Sequence, residues 1–209
     1  MSGFEQMTEA LIKGDMDDLL RLVKEALDKG AKADEILNNA LISGMDVVGE
    51  RMESGDMFIP EVLRSAKCMA GAVDVIKPLL GSDSITSAGK IVIGTVKGDL
   101  HDIGKNLVKM MLESAGFEVI DMGVDIAPEA FVRMVREKDA QMLALSALLT
   151  TTMPMMKKTI DALVESGLRN QVKVIVGGAP VTKQFADEIG ADGYASDAGS
   201  ANRLAKALL

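Results

Sequence analysis

The sequence predicts an N-terminal four-helix bundle followed by an α/β domain built on a five-stranded parallel sheet. Apolar residues recur with a helical period up to about residue 82, and short apolar runs alternate with amphipathic segments from residue 91 onward. A small, polar stretch separates the two patterns. We therefore place a helical domain at 1–82, a linker at 83–90 and the α/β domain at 91–209.

Helix start and stop signals divide the first domain. Asp15 is a favourable N-cap, Gly30 can end the helix that Asp15 begins, and Pro60 suits the first turn of a later helix. Short connections that contain glycine favour antiparallel neighbours in a bundle. The predicted helices are 4–12, 15–30, 34–55 and 60–80.

The second domain alternates strands with helices. Continuous apolar strands separated by amphipathic helices are typical of a parallel sheet that is covered on both faces. Five such strands suit the doubly wound, flavodoxin/Rossmann-like order, in which ligands bind beyond the carboxyl ends of the strands. The predicted strands are 91–96, 118–121, 142–146, 172–176 and 193–195, and the predicted helices are 105–115, 128–137, 153–166, 181–189 and 198–209.

Composition narrows the partners and the compartment. The net charge of -8 disfavours nucleic acid and anionic membranes as partners. The chain has no apolar run of membrane-spanning length, and its first residues lack the order of a signal peptide. The single cysteine excludes an internal disulfide and fits a reducing compartment. We expect a cytoplasmic protein.

The only histidine, His101, lies in a glycine-flanked segment directly after the first strand. One His and a distant Cys68 do not supply the three or four protein ligands of an ordinary zinc or iron site. A metal on His101 must therefore bring most of its own ligands, as in a tetrapyrrole-like macrocycle. Asp99 is close enough to hydrogen-bond one imidazole nitrogen, and Gly98 and Gly104 permit a tight loop and the close approach of a bulky group. A surface histidine beside acidic residues, or a general-base pair, are the alternatives.

Other strand ends face the same edge of the predicted sheet. Hydroxyl residues at 150–152 follow the third strand, and Gly177-Gly178 follows the fourth. Taken singly, these features indicate helix capping and a turn. The chain lacks the glycine patterns of dinucleotide-binding and nucleoside-triphosphate-binding loops.

Taken together, these motifs resemble the cobalamin-binding signature of methionine synthase and of the corrinoid proteins of methylamine, methanol and O-demethylase methyltransferase systems. The helical half resembles the cap of that family. The similarity covers essentially the whole chain, so we expect a corrinoid subunit that is not catalytic alone. The matching motifs are Asp99-x-His101-x-x-Gly104, Ser146-x-Leu148, Gly177-Gly178, Gly44-Met45-x-x-Val48-Gly49 and Gly55 to Pro60.

The resemblance implies a cobalamin or related corrinoid with His101 as the lower axial ligand of cobalt and Asp99 as its hydrogen-bond partner. Thr152 occupies the position of a serine that continues this relay in the family. Cap residues would shield the upper face of the cofactor. The implied cofactor contacts are Gly98, Asp99, Leu100, His101, Asp102, Ile103, Gly104, Ser146, Leu148, Thr150, Gly177, Gly178, Tyr194 and Ala195, with Met52, Ile59 and Val62 on the cap.

The implied function is methyl carriage in one-carbon metabolism, such as methanogenesis or acetogenesis. Cobalt(I) would accept a methyl group from a donor-specific methyltransferase, and methylcobalt(III) would deliver it to a second methyltransferase with a thiol or tetrahydrofolate-type acceptor. A corrinoid-reactivating reductase is the third expected partner. Methylamines are favoured among the possible donors, which include methanol, methoxylated aromatics and betaines. A cobalamin-dependent sensor is the main alternative, and a flavodoxin-like nucleotide binder or receiver ranks below it.

Overall fold

The computed structural model describes residues 3–80 and 88–209, which form two compact units. The first is helical and the second is built on a sheet. Most of the predicted linker lies outside the described residues, and its last residue, Lys90, begins the first strand.

The helical unit has the four predicted helices in the predicted order. Asp15 caps the second helix by accepting a hydrogen bond from the Asp18 backbone at 3.1 Å, and Gly55 ends the third in the left-handed conformation. The third helix contains a π-helical turn, which the sequence did not predict. The elements are α1 (Gly3–Lys13), α2 (Met16–Asp28), α3 (Ala33–Ile36), the π-helical turn (Leu37–Ile42), α4 (Ser43–Ser54), α5 (Ile59–Ile76) and a 3₁₀ turn (Lys77–Leu79).

The sheet unit has five parallel strands in the order β2-β1-β3-β4-β5, which confirms the doubly wound prediction. The strands are β1 (Lys90–Thr95), β2 (Glu118–Asp121), β3 (Met142–Ser146), β4 (Lys173–Gly177) and β5 (Gly193–Ala195). The helices are α6 (Ile103–Ser114), α7 (Pro128–Lys138), α8 (Pro154–Glu165), α9 (Lys183–Ile189) and α10 (Ala198–Leu208).

Alternate residues of each strand face opposite helix layers. One set packs on α7, α8 and α9 and includes Val92, Leu143, Leu145, Val174 and Val176. The other set packs on α6 and α10 and includes Ile91, Ile93, Ala144 and Ile175. Both faces of the central strands are therefore buried, as continuous apolar strands require.

Several boundaries differ from the sequence predictions. β1 and β4 are each displaced by one residue, and α9 begins at Lys183 because the Thr182 side chain caps it by accepting from the Phe185 backbone at 3.2 Å. α6 begins at Ile103, so Gly104 lies in its first helical turn. The expectation that Gly104 is part of a tight loop is therefore wrong, because this residue is helical.

No helix among residues 3–80 and 88–209 is long and apolar enough to cross a membrane.

Candidate functional site

The carboxylate of Asp99 is the centre of a hydrogen-bond cluster at the carboxyl end of the sheet, and its residue is fully buried. One oxygen, Oδ1, lies 2.7 Å from Nδ1 of the His101 ring and 3.1 Å from the His101 backbone nitrogen. The other, Oδ2, accepts from the backbone N–H groups of Leu148 at 2.7 Å and Leu149 at 3.2 Å. Thr152 Oγ1 also donates to Oδ2 at 2.7 Å. The structure thus brings together the predicted Asp99, His101 and Thr152.

These contacts decide the charge of Asp99. Burial by itself raises the pKa of this carboxyl group, but hydrogen bonds from the Leu148 backbone, the Thr152 hydroxyl and His101 outweigh burial. The result is a pKa well below the usual range. Asp99 is therefore a carboxylate at neutral pH, and it acts only as an acceptor.

An ionised Asp99 fixes the tautomer of His101. Because Oδ1 carries no proton, the ring nitrogen that faces it, Nδ1, must be the donor. In a neutral ring the lone pair is then on Nε2, the nitrogen suited to bind a metal. The His101 side chain is 52% exposed, so Nε2 lies on an accessible ring.

Two residues that sequence reasoning missed hold the His101 loop in place. Thr95, at the end of β1, donates from its hydroxyl to the His101 carbonyl at 2.9 Å. Asp125 accepts from the Gly98 backbone at 2.8 Å and from Lys97 Nζ at 3.0 Å. Gly98 has φ +83°, a conformation that favours glycine. Thr95 ends β1, and Asp125 lies in the segment that follows β2. This placement was the available signal, because the carboxyl ends of parallel strands meet at one edge.

A buried ion pair, also missed, anchors the start of α6. Lys105 Nζ lies 2.6 and 2.7 Å from the two carboxylate oxygens of Asp121, and Asn106 Oδ1 accepts from the same ammonium at 2.7 Å. The Lys105 side chain is only 2% exposed. A lysine on the buried side of a first helical turn was the signal for a carboxylate partner.

The glycines of the predicted site have different surroundings. A Cβ on Gly178, whose φ is +129°, would lie 1.9 Å from the Ala147 carbonyl oxygen, and one on Gly177 would lie 2.8 Å from the Ala195 carbonyl oxygen. These two glycines therefore let neighbouring backbones approach. A Cβ on Gly104 would meet nothing within 4 Å, so this glycine borders open space.

Large apolar side chains are exposed on the loops that surround His101. Leu100 and Ile103 are 72% and 79% exposed, and Leu148 and Leu149 are 42% and 41% exposed. Exposed apolar side chains grouped around one polar ligand indicate a surface for an apolar partner. A flat macrocycle placed over the His101 ring fits this arrangement.

The remaining predicted contacts of the sheet unit are less uniform. Asp102 and Thr150 are exposed, and Ser146 is half-buried at the end of β3. Ala195 is buried, whereas Tyr194 packs on the cluster of α7, α8 and α9. The alternation along β5 therefore directs the Tyr194 ring to the face opposite Ala195.

The three predicted cap residues differ in exposure within the helical unit. Ile59, the first residue of α5, is 47% exposed, and Met52 of α4 is partly buried. Val62 is fully buried in the helical core. Ile59 is thus the most exposed of the three side chains.

Comparison with known proteins places this site in a family. The model for "B12 binding domain" matches residues 89–202, and a second model of the same description matches residues 4–77. The chain is 45% identical over 207 residues to dimethylamine corrinoid protein 1 of Methanosarcina acetivorans, covering 98% of this chain and 96% of that protein. The chain belongs to the B12-binding corrinoid proteins.

Two solved structures extend the comparison. A cobalamin-binding protein from Desulfitobacterium hafniense superposes with a TM-score of 0.87 at 34% identity, over 99% of this chain and 98% of that one. The methanol:cobalamin methyltransferase complex of Methanosarcina barkeri matches with a TM-score of 0.85 at 30% identity, over 98% of this chain and 78% of that chain. The predicted fold and the predicted cofactor class, cobalamin or a related corrinoid, are confirmed.

The donor set of this corrinoid protein fits such a cofactor. Within the part of the chain that the structure describes, no three His, Cys, Asp or Glu residues group closely enough to hold a bare metal ion. His101 offers one nitrogen, and a corrinoid supplies the equatorial ligands itself. The open side of Gly104 and the exposed leucines leave room for the macrocycle.

Proposed function

We propose that this corrinoid protein is a methyl carrier between two methyltransferases. The observation that supports the proposal best is the His101 ring, whose Nδ1 donates to Asp99 at 2.7 Å while no residue of the described ranges hydrogen-bonds Nε2. When bound, the corrinoid supplies a cobalt ion that accepts a methyl group from one enzyme and yields it to the next. The residues of the chain orient and tune that cobalt.

In this proposal His101 would hold the cobalt through Nε2. Asp99 retains the proton on Nδ1 and thereby fixes both the tautomer and the ring orientation. Thr152 donates to Asp99, and its Oγ1 also lies 2.8 Å from the Leu149 carbonyl oxygen, which could accept the single hydroxyl proton instead. Thr152 can therefore release the carboxylate without losing a hydrogen bond, which suits a relay residue.

The helical unit would cover the upper face of the cofactor with Met52, Ile59 and Val62, and would move aside for each methyltransferase. This part of the proposal keeps the domain limits expected from the sequence, with 1–82 as cap and 83–90 as hinge. Movement of a cap is the usual way to give two partners access to one buried reactive group.

We propose a methylated amine as the source of the methyl group. The support is the likeness to dimethylamine corrinoid proteins, at 45% identity in the case described above. The complex of the methanol system shows that a related chain associates with a methyltransferase. An acceptor methyltransferase, with a thiol or tetrahydrofolate-type acceptor, and a reactivating reductase complete the proposed set of partners, in the cytoplasm.

The single histidine allows a decisive test of ligation. Protein labelled with ¹⁵N-histidine is loaded with cobalamin, and the paramagnetic cobalt(II) form is studied by electron paramagnetic resonance. Only His101 carries the label in an imidazole, so the axial nitrogen splitting should change from three lines to two. An unchanged spectrum would show that His101 is not a ligand of the cobalt. His101→Ala should lose the splitting and shift the visible spectrum to that of a water-ligated corrinoid.

The methyl-carrier role itself is tested by measuring methyl transfer. The loaded protein is reduced to the cobalt(I) form with an added low-potential reductant. It is then mixed with a dimethylamine methyltransferase, labelled dimethylamine, a thiol-dependent acceptor methyltransferase and its thiol. Label should appear on the protein first and on the thiol afterwards. Stable corrinoid binding without labelling, with methanol, methoxylated aromatic and betaine systems also tried, would favour the sensor alternative.

A further inference from the structure

Asp125 contacts three consecutive residues of the loop 97–102, which we call the histidine loop. Its backbone N–H donates to the Asp99 carbonyl oxygen at 3.0 Å, and its Oδ1 accepts from the Gly98 backbone N–H at 2.8 Å. Its Oδ2 accepts from Lys97 Nζ at 3.0 Å. One residue therefore binds the chain immediately before the histidine.

Asp125 makes these contacts with an unusual backbone conformation. Its φ is +59°, and Asp139 is the only other non-glycine residue with a positive φ in the described part of the chain. Asp139 ends α7, where a left-handed residue is common, but Asp125 lies between β2 and α7 and ends no helix. A left-handed residue other than glycine is strained, and such strain persists where the surrounding contacts enforce it.

The backbone on both sides of Asp125 is fixed to the end of β1. The Thr95 N–H donates to the Gly123 carbonyl oxygen at 3.0 Å, and the Ile126 N–H donates to the Thr95 carbonyl oxygen at 3.0 Å. Val96 and Ile126 also form a parallel bridge. Because its neighbours are paired in this way, Asp125 contacts the histidine loop from a fixed position.

Asp99 is consequently held from two directions. Its carbonyl oxygen accepts from the Asp125 backbone, and its carboxylate accepts from Leu148 and Thr152. The direction in which this carboxylate meets Nδ1 of His101, at 2.7 Å, depends on both sets of contacts. A change on the side of Asp125 should therefore be felt at the imidazole.

We propose that Asp125 is a positioning residue for the axial histidine and that it acts through Gly98 and Asp99. The inference rests on the proposed corrinoid function. Gly98 has φ +83° and no side chain to anchor it, so it can rotate once its N–H loses the Asp125 carboxylate. The carboxylate thereby keeps Asp99 where it retains the proton on Nδ1 of His101 and leaves Nε2 free for cobalt.

Stability alone does not account for this aspartate. The side chains of Lys97 and Asp125 are 53% and 41% exposed, and ion pairs with such exposure contribute little to stability. Glycine would adopt the left-handed conformation at this position without strain. What aspartate adds is the carboxylate that binds the histidine loop.

Three variants separate the carboxylate from the backbone. Asp125→Gly removes the carboxylate but keeps the N–H that donates to Asp99, in a conformation that glycine adopts freely. Asp125→Asn keeps an oxygen acceptor for Gly98 and tolerates the same conformation. The matched control is Asp139→Gly, which makes the same exchange at the other left-handed aspartate, just before the amino end of β3.

The first measurement uses cofactor-free protein labelled with ¹⁵N-histidine. His101 is the only histidine, so its two ring nitrogens give the only imidazole signals in a nitrogen NMR spectrum. At a pH where the ring is neutral, wild type should show the proton on Nδ1. In Asp125→Gly both tautomers should be populated, so the two nitrogen shifts should move toward each other. Asp125→Asn and Asp139→Gly should match wild type.

The second measurement titrates cyanide into the cobalamin-loaded protein with oxidised cobalt. Excess cyanide replaces the axial nitrogen, and the visible spectrum of the corrinoid reports the replacement. The cyanide concentration at half replacement should fall about fivefold in Asp125→Gly, less than the roughly 10–100-fold cost of losing a direct hydrogen-bond partner of a metal ligand. Asp139→Gly should leave it unchanged, and ultrafiltration checks that the corrinoid stays bound.

The outcomes are distinguishable. An unchanged cyanide midpoint in Asp125→Gly, or an equal change in Asp139→Gly, would overturn the role of Asp125 while leaving corrinoid binding intact. Absence of an axial histidine in loaded wild type would instead overturn the proposed function. A lower midpoint with mixed tautomers in Asp125→Gly alone, restored in Asp125→Asn, supports the inference.

Discussion

Asp99 and Asn202 are both buried polar residues of the sheet unit, but only one of them has its hydrogen bonds. Asp99 accepts from His101, Leu148, Leu149 and Thr152, whereas Oδ1 of Asn202 has no partner in the described residues. The cluster around Asp99 is therefore a completed scaffold that presents His101. On α10, by contrast, one buried amide oxygen has no partner among the described residues. Substitutions that remove the acceptor of the first region should lower stability, whereas replacing the unpaired amide of the second region should not.

The largest effect should come from Asp99→Ala. Removal of the carboxylate leaves the Leu148 and Leu149 N–H groups and the Thr152 hydroxyl without their acceptor. We expect a loss of about 3 kcal/mol in the free energy of unfolding. Urea unfolding followed by tyrosine fluorescence measures this loss. The signal reports on the sheet unit, because Tyr194 is the only tyrosine and the chain has no tryptophan.

The matched control for Asp99→Ala is Asp187→Ala, an exposed aspartate of α9 paired with Lys183. It should stay within about 0.5 kcal/mol of wild type. If Asp99→Ala also stayed within that margin, the cluster would not be the scaffold described here.

The next effect concerns the ion pair of Lys105 and Asp121 and its dependence on pH. Burial raises the pKa of Asp121, but the hydrogen bonds from Lys105 and Gly123 and the positive charges of Lys105 and Lys109 outweigh it and lower the pKa. A lowered pKa in the folded state gives stability that is fully present above the unfolded value of about 4. That stability is lost as the pH falls through the folded pKa.

Asp121→Asn should therefore destabilise the sheet unit by about 2 kcal/mol at neutral pH, because Lys105 keeps a buried charge with a weaker partner. It should also flatten the decline of stability between about pH 5 and acid. Urea midpoints measured across that range provide the check. Asp187→Asn serves as the exposed reference. If the stability of Asp121→Asn declined with falling pH as steeply as that of Asp187→Asn, the assignment would be contradicted.

The difference between these regions also explains what the sequence could predict. His101 and Asp99 are two residues apart at a strand end, so spacing alone predicts their contact. The contact of Asp121 with Lys105 depends on how the chain returns to one edge of the sheet. The contact of Thr95 with the His101 carbonyl depends on how the loop between them folds, which the spacing alone does not give. Asn202 looks like any polar helix residue until its burial is known.

The strands and helices show the same division. Apolar runs predicted all five strands, and two were displaced by a single residue: β1 begins earlier, at the polar Lys90, and β4 extends to Gly177. α6 was predicted to begin two residues late because Gly104 and Asp102 suggested a loop, yet Asp102 makes no side-chain cap and the helix includes Gly104. Propensity was overridden there by the tertiary structure.

The smallest effect on stability, with the opposite sign, should come from Gly104→Ala. A Cβ at this position meets nothing within 4 Å, and alanine is the better helix former by up to about 1 kcal/mol. The cofactor-free variant should therefore be slightly more stable than wild type. The added methyl group occupies the open side proposed for the corrinoid, so affinity for cobalamin should fall severalfold. Gly3→Ala, a helical glycine of α1 with equally open surroundings, should leave affinity unchanged. Higher stability together with weaker cobalamin binding would indicate that glycine at this position serves ligand binding and not stability. Unaltered affinity in Gly104→Ala would show that the macrocycle does not lie against α6.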